Sequence, residues 1–241
     1  MSTEPYAASA VEHDRVVLAR ACGLPLASFR EQHLAAQIRR ALVSEGAADA
    51  AELARRLATD PKARSRLRRS IAVSVSGHFR DPHQFELLER ELLGPLLASG
   101  GRLRVWSAGC ADGSELTSVG RVLMRQGAME RAHLLGSDLL EENLARARDG
   151  AALLPPELGA RLRWELRDLT ADGPPPGSWH LVLCRNVAIY LTEPARAALD
   201  RTLAAALAPG GVLLLGRAER LSDPRALGLE PAGPHAYRRP V

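Results

Sequence analysis

The chain has 241 residues, 46% of them apolar and 25% charged, with a formal net charge of +4. That length and apolar share suit one large or two small globular domains and exclude a disordered or fibrous chain. No apolar run approaches the roughly 20 residues of a membrane-spanning helix, and Met1 to Tyr6 lacks a signal-peptide pattern, so membrane insertion is not expected and a soluble, cytoplasmic protein is.

Residues 1 to 72 read as helical throughout. Val11 to Ala21 carries apolar residues at helical spacing and stops at Gly23. Ser28 is placed to cap a helix through Leu34, Ile38 and Leu42 that ends at Gly46, and Asp49 to cap a short one holding Leu53 and Leu57. Asp60-Pro61, a cap followed by a first-turn proline, opens a basic helix from Lys62 to Ala72. All but one of the 32 basic residues are arginine, Lys62 being the exception, and several of them crowd this region. Such a surface suits an acidic partner. Nucleic acid is not expected, since no aromatic residues interleave the charges.

From Val73 the character changes. S-V-S-G-H-F-R-D-P is a turn-rich connector, and Pro82 starts an amphipathic helix through Phe85, Leu88, Leu92 and Leu96. A strand over Leu103 to Trp106 then meets the glycine turn S-A-G-C-A-D-G and a helix from Glu115 to Arg125. Strands follow at His133 to Ser137, Leu162 to Leu166, Trp179 to Cys184 and Val212 to Leu215. Helices over Glu141 to Arg148 and Pro194 to Leu207 separate them, and Pro209-Gly210-Gly211 reads as a turn. His235 to Arg238 reads as a last edge strand. Strands alternating with helices predict an α/β fold with a mostly parallel, doubly wound sheet. Cys22, Cys110 and Cys184 are odd in number, far apart and without metal-ligand spacing, so they read as buried, reduced thiols and no metal site is expected.

In such sheets ligands sit beyond the carboxyl ends of the strands, at the switch point. Here those ends are Gly109 to Gly113, Asp138, Asp168 and Arg185-Asn186. An acid ending the second strand suits a ribose diol, and a polar residue ending the third suits an adenine amino group. The pattern fits an adenosine-containing cofactor. For each single acid, a helix cap or loop role is the alternative.

Five stretches carry a resemblance: V-S-V-S-G-H-F-R-D-P-H-Q-F, V-W-S-A-G-C-A-D-G-S-E-L-T-S, G-S-D-L, C-R-N-V-A-I-Y-L and L-A-P-G-G-V-L-L-L-G-R-A-E-R-L. Together, in this order from residue 73 to 221, the chain resembles the CheR family, S-adenosyl-L-methionine-dependent methyltransferases acting on glutamates of chemotaxis receptors. The resemblance implies a Rossmann-like class I methyltransferase sheet with a small all-helical N-terminal domain. It divides the chain into 1–72, a connector with the first catalytic-domain helix at 73–101, and the methyltransferase domain at 102–241. It also implies S-adenosyl-L-homocysteine as product. By it, Ser74, Ser76, Arg80, Gly109, Glu115, Asp138, Asp168, Asn186 and Val187 are cofactor-side residues, and Arg80 and Tyr190 are catalytic on the acceptor side.

The chain departs from the family pattern in places. Its Gly-Glu-Glu-Pro-Tyr-Ser becomes Gly113 to Ser118 with one acid, its Asn and Thr become Ser74 and Ser76, and a Phe becomes His78, expected half-buried. The link from Gly150 to Gly159 is too short for the family's three-stranded β-subdomain, since strands run ~5 residues each. Docking of a tethered receptor pentapeptide is therefore not expected. The first reading is a protein-glutamate methyltransferase whose acidic helical partner docks on the N-terminal arginines. The alternatives are a degenerate member acting as a signalling scaffold, and a small-molecule methyltransferase.

Overall fold

A computed structural model describes residues 8–74, 76–98 and 100–241; Met1 to Tyr6, read above for targeting, and Val75 of the connector lie outside the described residues. The chain forms two units, Met1–Val73 with Tyr190–Ala195, and Ser74–Ile189 with Arg196–Val241.

The first unit is built on α1 (Ala8–Cys22), α2 (Glu31–Glu45), α3 (Ala50–Thr59) and α4 (Pro61–Ile71). Leu18, Leu34, Leu53, Leu57 and Ile71 come from all four helices and have no exposed surface, so each helix buries its apolar stripe against the others. Local chemistry sets most of the boundaries. Gly46 ends α2 in the left-handed region and donates to the Leu42 and Val43 carbonyls. Asp49 accepts the Glu52 N–H, and Asp60 accepts the Lys62 N–H ahead of Pro61.

Ser28 is not the cap expected of it. It closes a one-turn 3-10 segment, Leu26–Ser28, and Arg30 takes the cap position of α2 without a side-chain cap bond. The backbone here is engaged elsewhere: Phe29 bridges Leu191, the Ser28 carbonyl accepts the Thr192 N–H, and the Arg30 N–H donates to the Tyr190 carbonyl. A partner 161 positions away in sequence, as Leu191 is from Arg30, leaves no local signal.

In the second unit, α5 (Pro82–Leu87) runs through a π-helical stretch, Leu88–Leu92, into α6 (Leu93–Ala98). There follow β1 (Leu103–Ala108), α7 (Ser114–Arg125), β2 (Ala132–Asp138), α8 (Glu141–Ala152), the single turn α9 (Pro156–Gly159), β3 (Leu162–Leu166) and β4 (Trp179–Cys184). α10 (Glu193–Ala206), whose first three residues are counted with the first unit, β5 (Leu207–Leu215), β6 (Glu230–Gly233) and β7 (Ala236–Arg238) complete the chain. The sheet order is β3-β2-β1-β4-β5-β7-β6. β1 to β5 pair in parallel, while β7 is antiparallel to both β5 and β6. The chain reverses its direction across the sheet between β1 and β4, which opens the crevice at the ends of those strands.

Two sequence expectations change. Pro209-Gly210-Gly211 lies inside β5, where the pairing jumps from Trp179↔Leu207 to Leu181↔Val212. The extra residues loop out, with Gly210 at φ +74, and the strand resumes. The final segment is not the edge: β7 is flanked on both sides, and β6, which carries a proline and was not expected, is outermost. Among the described residues, the chain between β2 and β3 contains α8 and α9 and no strand. No helix is long and apolar enough to cross a membrane among these residues.

Candidate functional site

The parallel register places Ala108 beside Ser137, so the turn leaving β1 runs along the end of β2. The Gly109 and Cys110 N–H groups both donate to the Ser137 carbonyl, at 2.8 and 2.9 Å. Ala111, at φ +48, directs its N–H to Asp138 Oδ2 at 2.8 Å. Asp138 Oδ1 accepts from Leu140 N and Asn143 Nδ2, each at 2.9 Å. The carboxylate is only 6% exposed. Burial raises its pKa, and these hydrogen bonds oppose the rise.

Asn143, buried in α8, also donates to Ser74 Oγ at 3.0 Å, tying the connector to the end of β2. Beside Ala111, burial pushes the Asp112 carboxyl up, but neighbouring hydrogen-bond donors, the Ser114 N–H at 3.1 Å among them, outweigh it and hold the carboxyl below its ordinary value.

The connector is held from the far side by Arg185, which follows β4. Its Nε donates to Gln84 Oε1 at 2.8 Å and its Nη1 to Glu115 Oε2 at 3.1 Å. Its Nη2 reaches the Arg80 carbonyl at 2.6 Å and Asp81 Oδ2 at 3.0 Å, and the guanidinium lies over the Phe85 ring. Gln84 in turn donates to the Leu215 carbonyl. Phe79 and Asp81 both sit in the left-handed region, at φ +52 and +58, where non-glycine residues are uncommon. The Ser118 hydroxyl accepting the Phe79 N–H and Arg185 gripping Asp81 hold this strained segment. Arg80 itself is exposed, as is His78, against the half-burial expected of the histidine.

Asn186 and Val187 form the opposite rim. Asn186 has φ +61, and Val187 packs so close to the glycine turn that a Cβ on Gly109 would lie 2.5 Å from its Cγ2. Gly109, itself at φ +78, is thus needed for both its conformation and its closeness to Val187. The Asn186, Val187 and Ala188 N–H groups all donate to the buried carboxylate of Glu219.

Hydrogen bonds or packing therefore connect Ser74, Arg80, Gly109, Glu115, Asp138, Asn186 and Val187 into one arrangement around the ends of β1, β2 and β4. Glu115 enters it through its partners: Oε1 accepts the Ser107 hydroxyl and Oε2 the Arg185 guanidinium. Asp168 and Tyr190 have other partners. Asp168 Oδ1 accepts both the N–H and the hydroxyl of Thr170, the loop role named as its alternative. Tyr190 is counted with the helical unit, its ring 4.9 Å from that of His33. Asn143, Arg185, Gln84 and Glu219 were missed as positioners. Gln84, Arg185 and Glu219 lie inside the quoted stretches, and Arg185 was also named as a strand end, but neither signal pointed to a positioning role.

An adenosine-containing group suits these residues. Asp138 uses three of the roughly four acceptor positions of a carboxylate, leaving capacity for a ribose hydroxyl. The glycine turn brings backbone against the rim with no side chain between. Burial drives the Cys110 and Cys184 thiols well above their ordinary range, so neither is poised as a thiolate. Among the described residues no cluster of three or more His, Cys, Asp or Glu could hold a metal ion.

Residues 74–153 and 152–231 match the family model described as "CheR methyltransferase, SAM binding domain". The chain is 28% identical over 238 residues to the chemotaxis protein methyltransferase of Listeria monocytogenes, covering 88% of this chain and 90% of that one. It is 28% identical to chemotaxis protein methyltransferase 1 of Pseudomonas aeruginosa, covering 87% and 89%. It is 30% identical to a probable chemotaxis protein methyltransferase of Rhizobium etli, covering 73% and 78%.

Proposed function

The chain belongs to the CheR methyltransferase family, and on that premise we propose that it transfers a methyl group from S-adenosyl-L-methionine to a glutamate side-chain carboxylate of a chemoreceptor or related signalling protein. The observation that carries the reading is the meeting of the Ser74–Asn143–Asp138 chain with the glycine turn, opposite Asn186 and Val187.

When bound, the cofactor supplies a methyl group on a positively charged sulfonium. The acceptor glutamate is ionised near neutral pH, so no side chain of this protein has to remove a proton. The work left to the chain is positioning and the exclusion of water. Ser74, Ser76, Gly109, Asp138, Asn186 and Val187 form the cofactor side, with Asp138 accepting from the ribose. Glu115 contributes by fixing Arg185, and Asp168 by fixing the loop after β3. Arg80 offers a two-pronged guanidinium to the acceptor carboxylate, and Arg185 holds the peptide that carries it.

The helical unit is the docking element for an acidic, helical partner. Several of its basic groups are committed internally: Arg66 to Glu45, Arg56 to Glu52, and Arg68 to the Cys22 carbonyl. Arg20, Arg39, Arg40, Arg55 and Lys62 are exposed and serve the docking. Without strands between β2 and β3, no receptor pentapeptide is bound.

The test begins with calorimetric titration of S-adenosyl-L-homocysteine, with Asp138→Ala as control. Binding in the micromolar range that the variant loses supports the cofactor site, and none at millimolar ligand refutes it. Methyl-labelled cofactor is then offered with receptor cytoplasmic fragments. Label released as methanol by mild base identifies a carboxyl ester, and base-stable label refutes the glutamate acceptor. Arg80→Ala lowers this turnover with little effect on S-adenosyl-L-homocysteine affinity.

A further inference from the structure

We propose that Glu219 is a positioning residue that builds one wall of the cofactor site without touching the cofactor. The proposal rests on the reading above and deepens it. Beyond Cys184 and Leu215, the last paired residues of β4 and β5, the ladder between these strands stops. The backbone N–H groups that follow have lost their strand partners, and buried donors must find others.

Glu219 supplies them. Oε2 accepts from Asn186 N at 2.7 Å and Gly216 N at 2.9 Å, and Oε1 accepts from Val187 N and Ala188 N at 2.8 Å each. A carboxylate has no donor and about four acceptor positions, so all are filled by backbone. The residue is 3% exposed, and its own N–H closes a turn onto the Gly216 carbonyl at 2.9 Å. Gly216 is small for the same reason: a Cβ there would lie 2.6 Å from Glu219 Oε2 and 2.9 Å from Asn186 N.

The consequence reaches the rim. Three successive N–H groups pointing at one carboxylate are a backbone nest, and the nest holds Asn186 at φ +61. That conformation sets where Val187 stands against the Gly109 turn. Gln is the informative replacement. It keeps the shape, but its amide presents N–H donors where a carboxylate oxygen accepted two backbone donors. Asn186 to Ala188 then lose their common anchor.

The experiment measures S-adenosyl-L-homocysteine affinity by calorimetry for wild type, Glu219→Gln and Val122→Ala. Val122 is a fully buried residue of α7, and its truncation is a general destabilisation control. Glu219→Gln is expected to weaken binding at least tenfold, and Val122→Ala to leave it within twofold. Amide hydrogen exchange of the ligand-free protein is expected to speed up at Asn186, Val187, Ala188 and Gly216 in Glu219→Gln alone.

If Glu219→Gln does not fold, Glu219→Asp, with the charge kept and the reach shortened, is expected to show both effects in milder form. Wild-type affinity in the variant, or a loss no larger than that of Val122→Ala, overturns the proposal. Wild-type protein that fails to bind the ligand overturns the cofactor reading beneath it. Unchanged exchange at the four amides overturns the anchoring role whether or not the ligand binds.

Discussion

Replacing Arg185 by methionine tests how the connector is held. Its side chain is 3% exposed, with Glu115 and Asp81 beside it at 16% and 26%. Methionine fills much of the volume but leaves both carboxylates, the Gln84 carbonyl and the Arg80 carbonyl without their shared donor. Removing one partner of a buried ion pair costs about 3–5 kcal/mol. The partial exposure of both acids admits water, so the lower end, about 3 kcal/mol, is expected here. For a chain of this size each kcal/mol moves Tm by about 2–4 °C, which gives a fall of about 6–12 °C. Thermal unfolding followed by circular dichroism measures it. A double-mutant cycle with Glu115→Gln sharpens the result, because the glutamine change should cost at least about 1 kcal/mol less once Arg185 is gone. A Tm within about 2 °C of wild type, or additive single effects, would refute the view of Arg185 as the hub of this region.

Three further outcomes are expected. Burial raises the Asp138 pKa above an ordinary value of about 3.9, so the folded state holds its proton more tightly than the unfolded one. Stability from this group is then full below about pH 4 and is lost as pH rises through the folded value. Asp138→Asn removes that dependence, so the Tm advantage of wild type over the variant should shrink between pH 4 and 7, and a widening gap would count against it. Gly109→Ala puts a methyl 2.5 Å from Val187 Cγ2 at φ +78; a loss of about 1–2 kcal/mol from the left-handed backbone alone and at least tenfold weaker S-adenosyl-L-homocysteine binding should follow, checked by denaturant titration and calorimetry. All three cysteines are buried and burial raises each thiol, so a chromogenic disulfide reagent at pH 7.5 should find no fast-reacting thiol in the native protein and three after denaturation. A Cys110 that reacts within seconds would show that the glycine turn is open to solvent.

What could be read from the sequence follows the range of the interactions concerned. Asp49, Asp60-Pro61 and Gly46 mark helix ends because caps act within three or four residues. The parallel strands stand out as apolar runs because both faces of the sheet are covered. Asp138 was recognisable as a strand-end acid for the same reason: its position depends on β2 alone. Ser28 misled because the same capping rule ignores a backbone partner at Thr192. β6 escaped notice because a four-residue strand containing proline has almost no pattern.

The chain's own order of residues thus determined the helical first region, the alternation of strands and helices, the glycine turn and the acids at the strand ends, all properties of short segments. Only the tertiary structure decided which of those polar groups meet. It joined Arg185 to Gln84 across 101 positions and Asn143 to Ser74 across 69, and gathered four backbone donors from the segments that follow two strands onto Glu219. It also engaged Asp168 with Thr170 and Tyr190 with the helical unit. The physical reason is that a hydrogen bond or ion pair acts over about 3 Å of space and is indifferent to separation along the chain. Which donor finds which acceptor is therefore settled only when the strands are laid side by side.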